Sequence, residues 1–185
     1  GMLPVAIGLV VISIVFTSLN PLFLAPNNLV NLLFDCATVG VISLGIVCVL
    51  MLGEIDLSVG SLMGLSAVLC GMLWRDAGFS IWTSALVAIA AAGVGGLLNG
   101  VLIARLHLAP LIVTLGTYSL FRGLAKGLTG GVETYTDFPK EFLFLGQGYL
   151  GGVVPAQVPI VIAIAIAFWI LLHRTTIGRA IQAIG

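Results

Sequence analysis

Apolar residues run along most of the chain in long, nearly uninterrupted stretches. A membrane-spanning helix needs about 20 predominantly apolar residues. Six stretches meet or approach that length, at positions 2–19, 28 or 31 to 53, 57–74, 81–104, 108–121, and 153 or 158 to 172. Each is apolar on most faces and lacks the alternation with period two that marks a strand. The pattern therefore predicts an all-α bundle of about six transmembrane helices.

Turn-forming residues separate these stretches. Asn28 or Asn31 is placed to cap the second helix, and Pro110 falls in the first turn of the fifth, where its missing N–H is harmless. Positions 122–157 form the one long polar connection, in which Asp137-Phe138-Pro139 predicts a cap and a short helix with an apolar side. Both a hairpin on the membrane surface and a plain spacer fit a connection of this length.

Small residues recur at helical spacing in the third and fourth stretches. Lipid supplies no hydrophobic drive between helices, so helices in membranes associate by close approach through small faces. We therefore interpret both series as packing faces. They comprise Gly60, Gly64, Ala67 and Gly71 in the third helix, and Ala88, Ala92, Gly95 and Asn99 in the fourth.

The composition agrees with this pattern. Hydrophobic residues make up 60% of the chain and charged residues 8%, whereas soluble domains carry about 25% charged residues. The sequence therefore predicts an integral membrane protein. Its net charge of zero gives no basic patch, so nucleic acid is not an expected partner. The basic residues fall on both predicted sides of the membrane, so the positive-inside rule does not fix the orientation.

Two carboxylates, Glu54 and Asp56, separate the second and third helices. Stranding either in hydrocarbon would cost about 2.5–3.5 kcal/mol on insertion scales, so both must lie at a water-facing helix end or in a polar path. In one interpretation Asp56 or Ser58 caps the third helix in a tight turn. In the other, the segment is a broken helix whose polar atoms face a translocation path. Spacing alone leaves both open.

A second set of polar residues follows in the fifth helix. Thr114, Thr117, Tyr118 and Arg122 lie at offsets that place them on one helical side. They could hydrogen-bond a polyhydroxylated solute, or the threonines could bond to their own helix while Arg122 extends outward to water. Asn99 has two similar interpretations, an interhelical hydrogen bond or a solute contact.

The chain carries no motif for catalysis or ATP binding. It lacks a GxxxxGK[ST] phosphate loop, a GxSxG nucleophile turn and an HExxH metal motif. His107 and His173 have no second ligand at metal-binding spacing. We therefore expect the chain to be no enzyme and to hold no metal or cofactor.

Three landmarks in order resemble one known family. The sequence GEIDLSVGS at 53–61, which contains Ser58 and Ser61, is similar to the signature of permease subunits in bacterial monosaccharide ABC importers of the ribose, xylose, arabinose and rhamnose group. The run LNG at 98–100, followed by PLIVTLGT at 110–117 and FRG at 121–123, resembles the next landmark. The run TIGR at 176–179 through AIG at 183–185 resembles the cytoplasmic segment ahead of the second half. Many relatives have glycine at position 54, and Glu54 resembles the xylose-type members.

The resemblance covers essentially the whole chain and implies its function. Residues 1–185 are then the N-terminal part of a single transmembrane permease domain of roughly ten helices. Such a permease has a cytoplasmic N-terminus, spans the bacterial inner membrane and imports a monosaccharide, here a pentose or similar sugar such as xylose. The translocation path or structural signature would comprise Glu54, Asp56, Ser58, Ser61, Asn99, Thr114, Thr117 and Arg122.

The resemblance also implies partners. They are an ABC ATPase subunit that binds the ATP, a periplasmic sugar-binding protein and a second permease copy in a homo- or heterodimer. The ATPase contact would include Gly178, Arg179 and Gln182. The alternative is an ion- or proton-coupled secondary transporter that uses Glu54 or Asp56 as a titrating site. A third class is a membrane scaffold whose small-residue faces only bind other helices.

Overall fold

A computed structural model describes residues 2–152 and 154–184. Within these ranges the chain forms eight α-helices, a short 3₁₀ helix and one two-stranded hairpin. The helices are α1 (Met2–Leu19), α2 (Pro26–Leu50), α3 (Val59–Arg75), α4 (Ile81–Ala104), α5 (Pro110–Leu128), α6 (Lys140–Gln147), α7 (Gln157–Arg174) and α8 (Thr176–Ile184). The 3₁₀ helix is Pro21–Leu24, and strand β1 (Tyr149–Leu150) pairs antiparallel with β2 (Val154–Pro155).

The prediction of an all-α membrane bundle is confirmed. Helices α2, α4 and α7 are long and apolar enough to cross a membrane, and α1 and α3 are shorter apolar helices. Helix α7 begins at Gln157, close to the second predicted start at Val158; the first, Val153, lies outside the described residues.

The predicted boundaries of the second and fifth helices were wrong in detail. Helix α2 begins at Pro26 without a side-chain cap, and Asn28 donates to the carbonyl of Phe23 instead of capping. Helix α5 continues past position 121 to Leu128, so the polar connection starts there and not at position 122. Charged residues interrupt an apolar run but not a helix, because arginine and lysine are good helix formers.

Helix α3 packs against α4 and α5, whereas α2 packs against α7, and α7 against α8. The small face predicted on α4 is a packing face, because Ala88, Gly95 and Asn99 are buried. A Cβ on Gly95 would lie 2.7 Å from Leu62 Cδ1 and 3.2 Å from Phe121 Cζ. On α3 only the last small residue, Gly71, is buried. The other three, Gly60, Gly64 and Ala67, are exposed.

Aromatic side chains attach α6 to the ends of α3 and α4. The ring of Phe138 lies 5.1 Å from that of Trp74, and the ring of Phe142 lies 5.9 Å from that of Trp82. These contacts confirm the short helix and its apolar side. Asp137 does not cap it: the N-cap is Pro139, without a side-chain cap bond, and Asp137 has a left-handed φ of 61°.

Polar contacts hold the preceding loop against the end of α3. Arg75 pairs with Asp76 at 2.8 Å and with Glu133 at 3.2 Å. The hydroxyl of Tyr135 donates to Asp76 Oδ2 at 2.9 Å. The hydrogen bonds from Arg75 and then Tyr135 lower the pKa of Asp76, while desolvation and the bond to Asp76 raise the pKa of Tyr135. The connection is therefore anchored along its first part.

Candidate functional site

The chain breaks its helical path between α2 and α3. Gly53 adopts a left-handed φ of 76°, a conformation that costs glycine little, and the residues before Val59 run without regular structure. Asp56 Oδ1 accepts hydrogen bonds from both the backbone N–H and the hydroxyl of Ser58, each at 2.7 Å. Ser58 is fully buried. The carboxylate thus closes a tight local turn ahead of α3, as aspartate does in Asx turns.

Helices α4 and α5 hold this turn from the other side. Asn99 Nδ2 of α4 donates to Ser58 Oγ at 2.8 Å. Thr114 Oγ1 of α5 donates to the carbonyl of Ile55 in a long bond of 3.4 Å. Asn99 and Thr114 are both buried. We call Asp56, Ser58, Asn99 and Thr114 the break clamp, since they join three helices at the interruption.

The clamp does not use every polar atom near the break. Asn99 Oδ1 is buried and has no hydrogen-bond partner among the described residues. A cavity of about 430 Å³ lies beside it, lined by Glu54, Asp56, Asn99 and His107 together with apolar residues and Ile184 of α8. In the same described part of the chain, no hydrogen bond or ion pair reaches the Glu54 carboxylate. The arrangement combines a fixed carboxylate, Asp56, with a free one, Glu54.

The other predicted site residues do not all join this cluster. Ser61 donates to the carbonyl of Ser58 at 2.8 Å, and Thr117 bonds back to the carbonyls of Val113 and Thr114 within its own helix. Arg122 is exposed and donates to the Tyr118 hydroxyl at 2.7 Å. The face predicted on α5 therefore splits: Thr114 turns to the break, while Arg122 lies apart near the other end of the helix.

Capping of α3 also differs from the expectation. Ser58 is the N-cap residue, yet no side-chain cap bond forms; its hydroxyl donates to Asp56 and accepts from Asn99. Neither interpretation of the acidic pair is complete on its own. The turn is tight, as the first predicted, and it lies against buried polar side chains of α4 and α5, as a broken helix would.

Helix α8 folds back on the end of α7. The hydroxyl of Thr175 accepts from the N–H of Gly178 at 3.1 Å, and Gln182 Nε2 donates to the carbonyl of Leu172 at 3.0 Å. A Cβ on Gly178 would collide with backbone atoms of Leu171 and Leu172, so only glycine fits this junction. Arg179 is exposed.

Sequence reasoning missed one charged residue, Asp35. It lies nine positions after Pro26, inside the apolar helix α2, and its side chain is exposed. The available signal was simple: an acidic residue within a spanning run is unusual and marks a functional candidate. In the described ranges no cluster of three or more histidine, cysteine or acidic side chains could hold a metal ion.

Comparisons with known proteins connect this geometry to a family. The family model described as branched-chain amino acid transport system / permease component matches residues 28–185. The chain belongs to this permease family. The resemblance to transport permeases drawn from the three sequence landmarks is thereby confirmed, and the chain is a multi-pass membrane protein of this class.

Curated relatives include two kinds of import permease. The ribose import permease protein of Bacillus subtilis is 38% identical over 181 residues, which are 97% of this chain and 55% of the relative. The autoinducer 2 import system permease protein of Klebsiella pneumoniae is 33% identical over 177 residues, 93% of this chain and 53% of the relative. That of Escherichia coli K12 is 35% identical over 185 residues, 96% of this chain and 55% of the relative. The chain thus spans about half the length of these relatives. No solved structure matches the chain.

Proposed function

We propose that the chain forms part of the transmembrane permease of an ATP-driven ABC importer that carries a monosaccharide into the bacterial cytoplasm. The observation that carries this proposal is the break clamp. Residues from two separate landmarks, Asp56 and Ser58 from the first and Asn99 and Thr114 from the second, meet at one helix break. The relatives named for ribose and autoinducer 2 import support a small polyhydroxylated cargo.

The proposed orientation places the N-terminus in the cytoplasm. The break and α8 then lie at the cytoplasmic end of the inner membrane, and α6 and the β-hairpin lie on the periplasmic side. The ATPase subunit docks at α8, where Arg179 is exposed and Gly178 and Gln182 shape the fold-back onto α7. A periplasmic sugar-binding protein docks on the opposite side, and a second permease copy completes the path.

In this proposal the chain is not an enzyme. ATP binds the ATPase subunit, whose closure shifts the permease helices between outward- and inward-facing states. Helix α8 lies close to the break, since Gln182 shares a cavity with Leu50, Met51 and Gly53. Movement of α8 is thereby transmitted to the residues that the clamp holds.

The predicted path residues have different parts in this scheme. The break clamp keeps the interruption in one conformation, and Glu54 presents a free carboxylate to the cavity beside it. Ser61 and Thr117 bond to helix carbonyls, which supports a packing role over solute contact. Arg122 is proposed to lie at the periplasmic end of α5.

The cargo is proposed to be a pentose or a similar sugar. Glu54 supports xylose through its resemblance to xylose-type members, whereas the curated relatives named above transport ribose and autoinducer 2. The experiment measures the rate of ATP hydrolysis in nanodiscs that contain the permease and its ATPase. The binding protein is added either unloaded or loaded with ribose, xylose or autoinducer 2. One cargo should stimulate hydrolysis above the unloaded level. Failure of the permease to assemble with an ATPase would contradict the proposal.

A secondary transporter remains the second candidate, because both Glu54 and Asp56 line a cavity. It predicts sugar uptake driven by a pH gradient in vesicles without any ATPase, abolished by Glu54→Gln or Asp56→Asn. The importer proposal predicts no such uptake. A membrane scaffold, in contrast, predicts that neither substitution affects transport.

A further inference from the structure

One side of α2 carries a polar stripe over the half of the helix nearest its start. Asn31, Asp35 and Thr38 lie at offsets of zero, four and seven residues, which is one helical face. All three side chains are exposed. At a rise of 1.5 Å per residue, Asp35 lies about 14 Å along the helix from Pro26. A hydrocarbon core is about 30 Å thick, so this carboxylate is positioned deep in the membrane.

The opposite face of α2 is the one that packs within the chain. Ala37 is buried, and a Cβ on Gly40 would lie 3.9 Å from Val161 of α7. Asp35 therefore points away from α7. Across the described ranges, no hydrogen bond or ion pair reaches its carboxylate. A charge left in lipid is strongly unfavourable, so the stripe requires polar surroundings.

The outer end of the stripe opens onto a cavity. It has a volume of about 540 Å³ and is lined by Asn27, Val30, Asn31, Tyr149 of the β-hairpin and neighbouring residues. Toward the other end of α2 the same face continues with Ile42 and Ile46, which are half-buried. In the proposed orientation, the polar surface is thus open at its periplasmic end, and apolar residues close it toward the cytoplasm.

We propose that this stripe is a sugar-binding vestibule, which receives the solute released by the periplasmic binding protein. The inference rests on the proposed importer function and names residues outside its motifs. Asp35 accepts hydrogen bonds from sugar hydroxyls, Asn31 both donates and accepts, and Thr38 supplies a hydroxyl at the base. The ring of Tyr149 offers an apolar surface at the mouth. The polar side chains of the break clamp bond to one another or to backbone, whereas this face presents donors and acceptors that match a neutral polyol.

The test combines thiol labelling with transport in the permease reconstituted with its ATPase and binding protein. In a background without Cys36, Cys48 and Cys70, Thr38→Cys is exposed to a charged, membrane-impermeant methanethiosulfonate. We expect the reagent to label the cysteine at position 38 in at least one of two states, the nucleotide-free state and the vanadate-trapped state. Labelling should be slower when the transported sugar is present. The matched control is Ile166→Cys on α7. The Ile166 side chain is also exposed in this chain but is apolar, so the cysteine at this position should stay unlabelled.

Asp35→Asn keeps the shape of the side chain and removes its charge. We expect the maximal uptake rate to fall about tenfold, as for a lost hydrogen bond to a charged group, with the KM for loaded binding protein unchanged. A Thr38→Cys that stays unlabelled in both states, or that cross-links to a second permease copy, overturns the proposal, because the face is then covered by protein. Wild-type-like uptake by Asp35→Asn also overturns it. Absence of ATP-driven uptake in the wild type instead contradicts the importer function itself.

Discussion

Replacing Asp56 with alanine is expected to destabilise the protein much more than replacing Glu54 with glycine. Asp56 Oδ1 accepts two hydrogen bonds from Ser58 at 2.7 Å, and each hydrogen bond to a charged acceptor contributes about 1.5–3 kcal/mol. Because Asp56 is partly exposed, water replaces some of that loss, so we expect a decrease of about 2–3 kcal/mol in the free energy of unfolding. Ser58 would then keep a buried hydroxyl with no acceptor.

Glu54 provides the matched comparison. Its carboxylate has no hydrogen bond or ion pair within the described residues, so Glu54→Gly loses only backbone rigidity, less than about 1 kcal/mol. Asp56→Asn should fall between the two variants, because the amide oxygen still accepts from Ser58 without the charge. The assay is reversible unfolding in mixed micelles with increasing dodecyl sulfate, followed by tryptophan fluorescence, with uptake measured on the same preparations. Equal free energies for Asp56→Ala and Glu54→Gly would refute the role given to the break clamp.

Three further predictions concern packing, titration and assembly. Gly95→Leu should lower the free energy of unfolding by about 1–3 kcal/mol through overpacking, while Gly96→Leu, with open space at its Cβ, should not; equal effects in the micelle assay would contradict this. Tyr135 has a raised pKa, so its contact with Asp76 is fully present below pH 10.0 and is lost as the pH rises through the raised value. In an absorbance titration at alkaline pH, the tyrosine ionisation with the highest pKa should be absent in Tyr135→Phe and should shift to a lower pKa in Asp76→Asn. An unchanged pKa in Asp76→Asn would count against the contact. Arg179→Glu should reduce co-purification of the ATPase, and unchanged recovery would speak against docking at α8.

The spanning helices could be predicted because lipid imposes a simple rule on sequence. Runs of apolar residues give α1 to α4 and α7 nearly at their observed positions. The end of α5 could not be found this way. Hydropathy falls at Arg122, but the backbone continues its hydrogen-bonding pattern to Leu128, because helix formation does not require apolar side chains.

The candidate site was only partly predictable from sequence. Glu54 and Asp56 attract attention because charges in such a chain need a polar environment. The partner of Ser58 is Asn99, which is 41 residues away, and no local pattern specifies that contact. Periodicity predicts one shared face for Thr114 and Arg122, but only packing decides that Thr114 meets the break while Arg122 stays exposed. Asp35 was detectable, since it is an acidic residue within an apolar spanning run.

The importer account is tested most directly by the energy source of transport. Proteoliposomes containing the permease, its ATPase and the binding protein are loaded with ATP, and accumulation of the stimulating sugar is followed while an ionophore collapses the proton gradient. The account predicts that accumulation persists with the ionophore and stops when the ATPase is replaced by a hydrolysis-inactive variant. Accumulation that survives loss of ATP hydrolysis and disappears with the proton gradient would contradict it.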